Sequence, residues 1–300
     1  MNMSLPPATV PLGRSGIEVS ALSWGMWRFA GADVTTATRL VGTALDHGLT
    51  FLDTAAIYGV GGPGFGAAEA LLGEVLRANP TLRARMTIAT KGGIVPGVPY
   101  DSSPAYIART IDESLGRLGV DVIDLWMVHR PDPLAHPAEV AGALDAAVAS
   151  GKVRAVGVSN YTPPQTRALL AHLTSPLACN QVEFSPLCIA PLADGALDLA
   201  MEDGHAVMAW SPLGGGRIAS PGTPREVAVA DALDAHAARH GVGREVVAYA
   251  WVLAHPARPV CIVGSQTPER IAEAAGAMAV RFTRAEWFEV LVAARGEQLP

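Results

Sequence analysis

Hydrophobic positions along this chain fall into short runs of strand length, separated by stretches in which apolar residues recur every three or four positions. The runs are "ALSWGMWRF", "LTFLDTAA", "RMTIATKGG", "VIDLWMVHR", "VRAVGVSNY", "ACNQVEFSP", "AVMAWSPLG" and "PVCIVGSQ". Stretches such as "DVTTATRLVGTALDHG", "SPAYIARTIDESLGRLG" and "PAEVAGALDAAVASG" lie between them. Their spacing predicts amphipathic helices, and a glycine often marks the C-terminal stop. Strands alternating with helices predict right-handed βαβ units around a parallel sheet. Eight such units favour an α/β fold of the (β/α)8 TIM-barrel type. The opening "TVPLGRSGIEVS" reads as a hairpin before the barrel, and "TRAEWFEVLVAARG" as an extra helix after it. A doubly wound open sheet is the competing architecture. It usually carries G-x-G-x-x-G after its first strand, where this chain has "WGMWRFAG". With no linker-like segment or break in composition, residues 1–300 read as a single domain.

Composition narrows the function. Half of the 300 residues are hydrophobic, 17% are charged and the net charge is −6. That allows an extensive core and lacks the basic footprint of a nucleic-acid binder. No apolar run reaches the roughly 18 residues of a membrane span. The N-terminus lacks the basic-then-apolar pattern of a signal peptide. Cys179, Cys188 and Cys261 have no metal-like spacing and read as reduced thiols packed as small hydrophobes. Together these features predict a cytoplasmic protein with neither a nucleic-acid nor a membrane partner.

Polar residues then fall in register. Asp53 closes the second run, Lys91 the third and His129 the fourth, at successive intervals of 38 residues. One βα unit separates each pair, so a barrel would bring all three to adjacent strand ends at its C-terminal rim. Tyr58 lies in the loop just after Asp53 and can fold over the same mouth. Alone, such residues are usually caps, rim charges or packing; together they suit proton transfer to a carbonyl oxygen. A lysine cation beside a tyrosine favours phenolate and lowers its pKa from about 10. An aspartate would hold the lysine charged and oriented, and a histidine could donate to the substrate oxygen. The hydride itself must come from a cofactor.

"DTAAIYG", "TKGG" and "LWMVHRPDP" resemble the motifs that carry the catalytic tetrad of the aldo-keto reductase superfamily, here Asp53, Tyr58, Lys91 and His129. The resemblance spans nearly the whole chain and is nearest to a bacterial branch with a short C-terminal tail. It implies a nicotinamide-dependent oxidoreductase that reduces aldehyde or ketone carbonyls to alcohols, or runs the reverse. It also implies cofactor contacts. Ser159, Asn160 and Gln181 would hold the carboxamide, and Trp210 would stack on the nicotinamide. Ser211, Leu213, Gly214, Gly216 and Arg217 would follow the pyrophosphate. Gly25 and Asp53 would also lie against the cofactor. Gly264, Ser265, Gln266 and Arg270 would surround the adenosine 2′-phosphate or adenine, at a helix N-terminus that favours phosphate. Two positions depart from the family: Gly264 replaces a common lysine, and Ala274 a common asparagine. Arg270 remains, and its guanidinium suits phosphate, so NADPH is expected over NADH.

Trp27, Tyr58 and His129 are the expected substrate-pocket residues, and the tail after the last helix, "EQLP", is short. A small carbonyl or alcohol is the expected partner, and a monomer the expected state. Two alternatives belong to other classes: a cofactor-binding regulatory subunit of the same fold, and a metal-dependent barrel hydrolase. No convincing cluster of metal ligands supports the second.

Overall fold

The computed structural model describes residues 2–299. The chain opens with an antiparallel hairpin, β1 (Thr9–Pro11) and β2 (Glu18–Ser20), in which Val10 pairs with Val19. Val10, Leu12, Ile17 and Val19 are buried beneath it. At its tip, a Cβ on Gly13 would stand 2.5 Å from the Ala178 carbonyl and 3.2 Å from His205 Cα. Both contacts lie where barrel strands begin, so the hairpin lies against the N-terminal end of the barrel.

Eight parallel strands follow: β3 (Leu22–Gly25), β4 (Phe51–Asp53), β5 (Thr87–Gly92), β8 (Ile123–Val128), β9 (Val153–Ser159), β10 (Leu177–Glu183), β11 (Ala206–Trp210) and β12 (Val260–Val263). They close in that order, β12 pairing with β3 through Ile262 and Ser23. All eight apolar runs therefore contain strands, but the first is shorter than its run. β3 stops at Gly25, and Met26–Phe29 turn instead, closed by the Phe29 amide donating to the Met26 carbonyl. The strands read as near-continuous apolar segments because both faces are covered, by side chains inside and helices outside. A second hairpin, β6 (Ile94–Val95) with β7 (Val98–Tyr100), follows Lys91 and was not foreseen in the sequence.

The outer layer is α1 (Val34–Asp46), α2 (Ala67–Ala78), α3 (Pro104–Leu118), α4 (Pro137–Ala149), α5 (Pro163–Leu170), α6 (Ala196–Asp203), α7 (Pro224–His240), α8 (Arg244–Leu253), α9 (Pro268–Ala274) and α10 (Arg284–Arg295). Local sequence sets their starts. Thr162–Gln165, Thr223–Glu226 and Thr283–Glu286 form reciprocal capping boxes. Prolines open five of the helices, where a missing N–H has no cost. Two helices, α7 and α8, occupy the connection between β11 and β12. α8 is buried from Val246 to Leu253 because α7, α9, the turn Ala275–Ala279 and β12 pack around it, and α10 reaches it through Trp287. The Trp251 and Trp287 rings stack at 4.7 Å and 4°, and each indole N–H donates to the other residue's carbonyl. Among the described residues, no helix is long and apolar enough to cross a membrane.

Candidate active site

Every barrel strand points its C-terminal end at one face, and the polar residues singled out in the sequence gather there. Asp53 ends β4 and Lys91 sits near the end of β5, with the Lys91 side chain fully buried. The Lys91 ammonium donates to both Asp53 oxygens at 2.8 Å and to the Thr54 carbonyl at 2.7 Å. Three acceptors match its three hydrogens, so the cation is fixed as well as neutralised. The same ammonium stands 4.9 Å from the Tyr58 ring centroid. Tyr58 and His129 meet edge to face at 5.9 Å, and Trp27 meets Tyr58 in the same manner at 5.0 Å. The 38-residue spacing thus brings Asp53, Lys91 and His129 together with Tyr58.

Charge around this group departs from the sequence expectation in one respect. Burial pushes the Tyr58 phenol above its usual pKa, and the opposing pull of Lys91 does not reverse that. Sequence alone registers the cation but not the loss of water around the ring. Burial acts to lower the Lys91 pKa, but Asp53 and Tyr58 outweigh it, and the lysine stays charged. His129 is driven well below the usual imidazole range, first by burial and then by Lys91 and Arg130. It is therefore neutral at pH 7.

From this corner a cavity of about 540 Å³ runs across the rim, within the range of small-molecule sites. Gly25, Asp53, Ser159, Asn160, Gln181 and Trp210 line it at the ends of β3, β4, β9, β10 and β11. They are mutually bonded. Gln181 donates to Asp53 at 3.0 Å, Asn160 to Ser159 Oγ at 2.7 Å, and the Trp210 indole to Asn160 Oδ1 at 3.0 Å. Asn160 and Ser211 hold φ of 60° and 50°, backbone conformations that non-glycine residues adopt mainly where tertiary contacts impose them. Ser211, Leu213, Gly216, Gly264, Ser265 and Arg270 continue the lining.

Four residues named in the sequence lie off the cavity wall. Lys91 is behind Asp53 and Tyr58. Gly214 packs inward, where a Cβ would meet Leu187 at 2.7 Å. Arg217 turns away because its guanidinium donates to the Gly214 carbonyl and Glu226. Gln266 instead donates to the Gly25 carbonyl, tying the loop after β12 to β3. The structure also adds wall residues that sequence reasoning missed. Arg28 and Arg130 are at the mouth; Glu245, Tyr249 and Glu273 come from α8 and α9. Arg130 was visible as the residue after His129. The approach of α8 to the rim had no local signal.

These residues fit a dinucleotide. A Cβ on Gly215, Gly216 or Gly264 would meet nothing within 4 Å, so backbone there lies open to a close-fitting ligand. A helix N-terminus and Arg270 stand nearby. Among the described residues, no group of three or more His, Cys, Asp or Glu is placed to hold a metal ion.

Comparison with known proteins agrees with this geometry. A model of the aldo/keto reductase family matches residues 21–291. A 6-dehydroglucose reductase of Novosphingobium aromaticivorans is 60% identical over 302 residues, covering 100% of this chain and 99% of that protein. One from Agrobacterium fabrum is 39% identical, covering 94% and 97%. Among solved structures, a thermostable aldo-keto reductase in complex with the inhibitor epalrestat superposes with a TM-score of 0.81 at 26% identity, covering 95% of this chain and 99% of that one. The match runs through the whole barrel and its rim, and the chain belongs to the aldo/keto reductase family.

Proposed function

We propose that this enzyme uses NADPH to reduce the aldehyde of 6-dehydroglucose, or of a similarly hydroxylated compound, to the primary alcohol. One observation carries the reaction: a buried, fully bonded Lys91–Asp53 pair lies behind Tyr58, with neutral His129 beside it. The choice of sugar aldehyde rests on the full-length likeness to proteins named 6-dehydroglucose reductase.

The nicotinamide supplies the hydride when bound. The chain's own residues do the rest. Neutral His129 donates its Nε2 hydrogen to the carbonyl oxygen and aims it at the phenol. Tyr58 gives its proton to that oxygen as negative charge develops, and Lys91 stabilises the phenolate left behind. Asp53 keeps Lys91 charged and in place. A phenol is protonated at neutral pH, the state a reductase needs before each turnover, and burial keeps Tyr58 so.

Ser159, Asn160 and Gln181 would hold the carboxamide, with Trp210 against the ring. The backbone around Ser211, Leu213 and Gly216 would follow the pyrophosphate. Arg270 would meet the 2′-phosphate and set a preference for NADPH. Glu245 and Glu273 on the same wall oppose that phosphate electrostatically, which keeps the preference moderate. All of these residues come from one chain, so a monomer suffices, and a cytoplasmic location supplies the reduced cofactor.

The test is to incubate the enzyme with 6-dehydroglucose and NADPH, follow cofactor absorbance and identify the product. Glucose formed in equal amount to NADPH consumed is expected. Cofactor binding without consumption, on this and other aldehydes, would contradict the reading.

A further inference from the structure

Two guanidinium groups line the cavity, and the reaction just described uses neither. Arg28 follows β3 and is exposed; Arg130 follows His129 and is half-buried. Among the described residues, Arg130 has no carboxylate within 4.0 Å and donates no side-chain hydrogen bond. It lies against the Trp210 ring, 5.7 Å from guanidinium carbon to centroid. Its charge still reaches the reacting corner, since it acts on both Tyr58 and His129. A partly exposed guanidinium with no protein acceptor keeps its five donors free for a ligand in the cavity. A ligand entering the cavity that carries oxygen acceptors can pair with it. On the same cavity, Trp27 keeps 60% of its surface exposed while standing edge-on to Tyr58. The cavity lining therefore includes one flat apolar surface and one guanidinium free of protein acceptors. A hydroxylated carbon chain has matching faces: C–H bonds for the ring and lone pairs for the guanidinium.

We propose that Arg130 sets substrate preference in this enzyme, ranking hydroxylated aldehydes above plain ones by donating hydrogen bonds to hydroxyls next to the carbonyl. Arg130 acts on the neighbouring hydroxyls and leaves the carbonyl oxygen to Tyr58 and His129. This rests on the carbonyl-reductase reading of the site but not on which sugar is the natural substrate.

Glyceraldehyde and propanal share a three-carbon skeleton and differ by two hydroxyls, so their kcat/KM ratio reads the proposed contact. The wild type should favour glyceraldehyde. Arg130→Met should lower the ratio by about ten- to a hundredfold, the size of a lost charge-assisted hydrogen bond. The loss should appear mainly as a higher KM for glyceraldehyde. Arg130→Lys should recover part of it, because the donor and charge remain while the fork is lost. NADPH titration by tryptophan fluorescence, run alongside, separates a role in cofactor binding. An unchanged ratio in Arg130→Met, an equal loss on both aldehydes, NADPH binding weakened by the same factor, or a wild type without preference would each overturn the proposal. Glyceraldehyde preferred with 6-dehydroglucose inert would uphold Arg130 and overturn the sugar assignment. Neither aldehyde oxidising bound NADPH would remove the reductase reading and this inference together.

Discussion

Lys91 has no exposed surface, and each of its three hydrogens already has an oxygen acceptor. In the proposed mechanism it would act on Tyr58 chiefly through its charge. Lys91→Met keeps much of the volume but removes the charge, so turnover should fall and the apparent pKa of the Tyr58 acid should rise further. A pH–rate profile of the residual activity that did not move would count against this coupling. Arg270 poses a separate question at the other end of the cavity. Arg270→Ala should weaken NADPH by about ten- to a hundredfold, the scale of one charge-assisted contact, and leave NADH nearly unchanged. Equal losses for the two cofactors, measured by fluorescence titration, would make Arg270 structural. Asp53, Lys91 and His129 were legible in the sequence because each ends a strand and one βα unit separates it from the next. The net direction of the Tyr58 pKa was not, because it depends on how far the folded loop excludes water.

Strand and helix interiors tolerate added volume very differently. A Cβ on Gly157 in β9 would stand 2.6 Å from Cys179 Sγ, 3.0 Å from its carbonyl and 3.1 Å from Met127 Cγ. Gly157→Ala must displace β8 or β10 and should destabilise the fold by about 1–3 kcal/mol, the usual cost of overpacking. Gly142 in α4 meets nothing within 4 Å and has no positive φ. There, Gly142→Ala should stabilise by about 0.5–1 kcal/mol through helix propensity. Opposite shifts in denaturant midpoint would support this reading of the two elements; shifts of the same sign would contradict it. At this scale the strand-length runs and capping residues made the alternation readable. The hairpin after Lys91 was missed because its strands, Ile94–Val95 and Val98–Tyr100, are too short to show a period. The contribution of α8 was missed because its place at the rim depends on packing against α7, α9 and β12, which leaves no mark in its own periodicity.

Across the whole molecule, folding buries neutral imidazoles. His129, His205, His236 and His255 all have pKa values pushed below the ordinary 6.5, with burial the largest cause for each. Above pH 6.5 both folded and unfolded forms are neutral at these sites, and they do not affect stability. As pH falls below 6.5, the unfolded chain takes up protons that the folded chain does not. Stability then declines by up to about 1.4 kcal/mol per pH unit for each such proton. The thermal midpoint should therefore start to drop near pH 6.5, ahead of the carboxylate range. A midpoint flat down to pH 5 would contradict it. The closed barrel and its active rim were readable from eight runs and their terminal residues. The charge states of these histidines follow from burial and had to come from the structure.

The central claim is that Tyr58 delivers the proton to the carbonyl oxygen at the rim of this barrel. Tyr58→Phe tests it most directly, because it removes one oxygen and keeps the ring that packs against Trp27 and His129. The measurement is kcat for aldehyde reduction by NADPH in wild type and variant, with NADPH affinity measured on the same samples. kcat should fall at least about a hundredfold in Tyr58→Phe, the low end for lost acid–base catalysis, with cofactor affinity little changed. Turnover near the wild-type value with cofactor bound would contradict it.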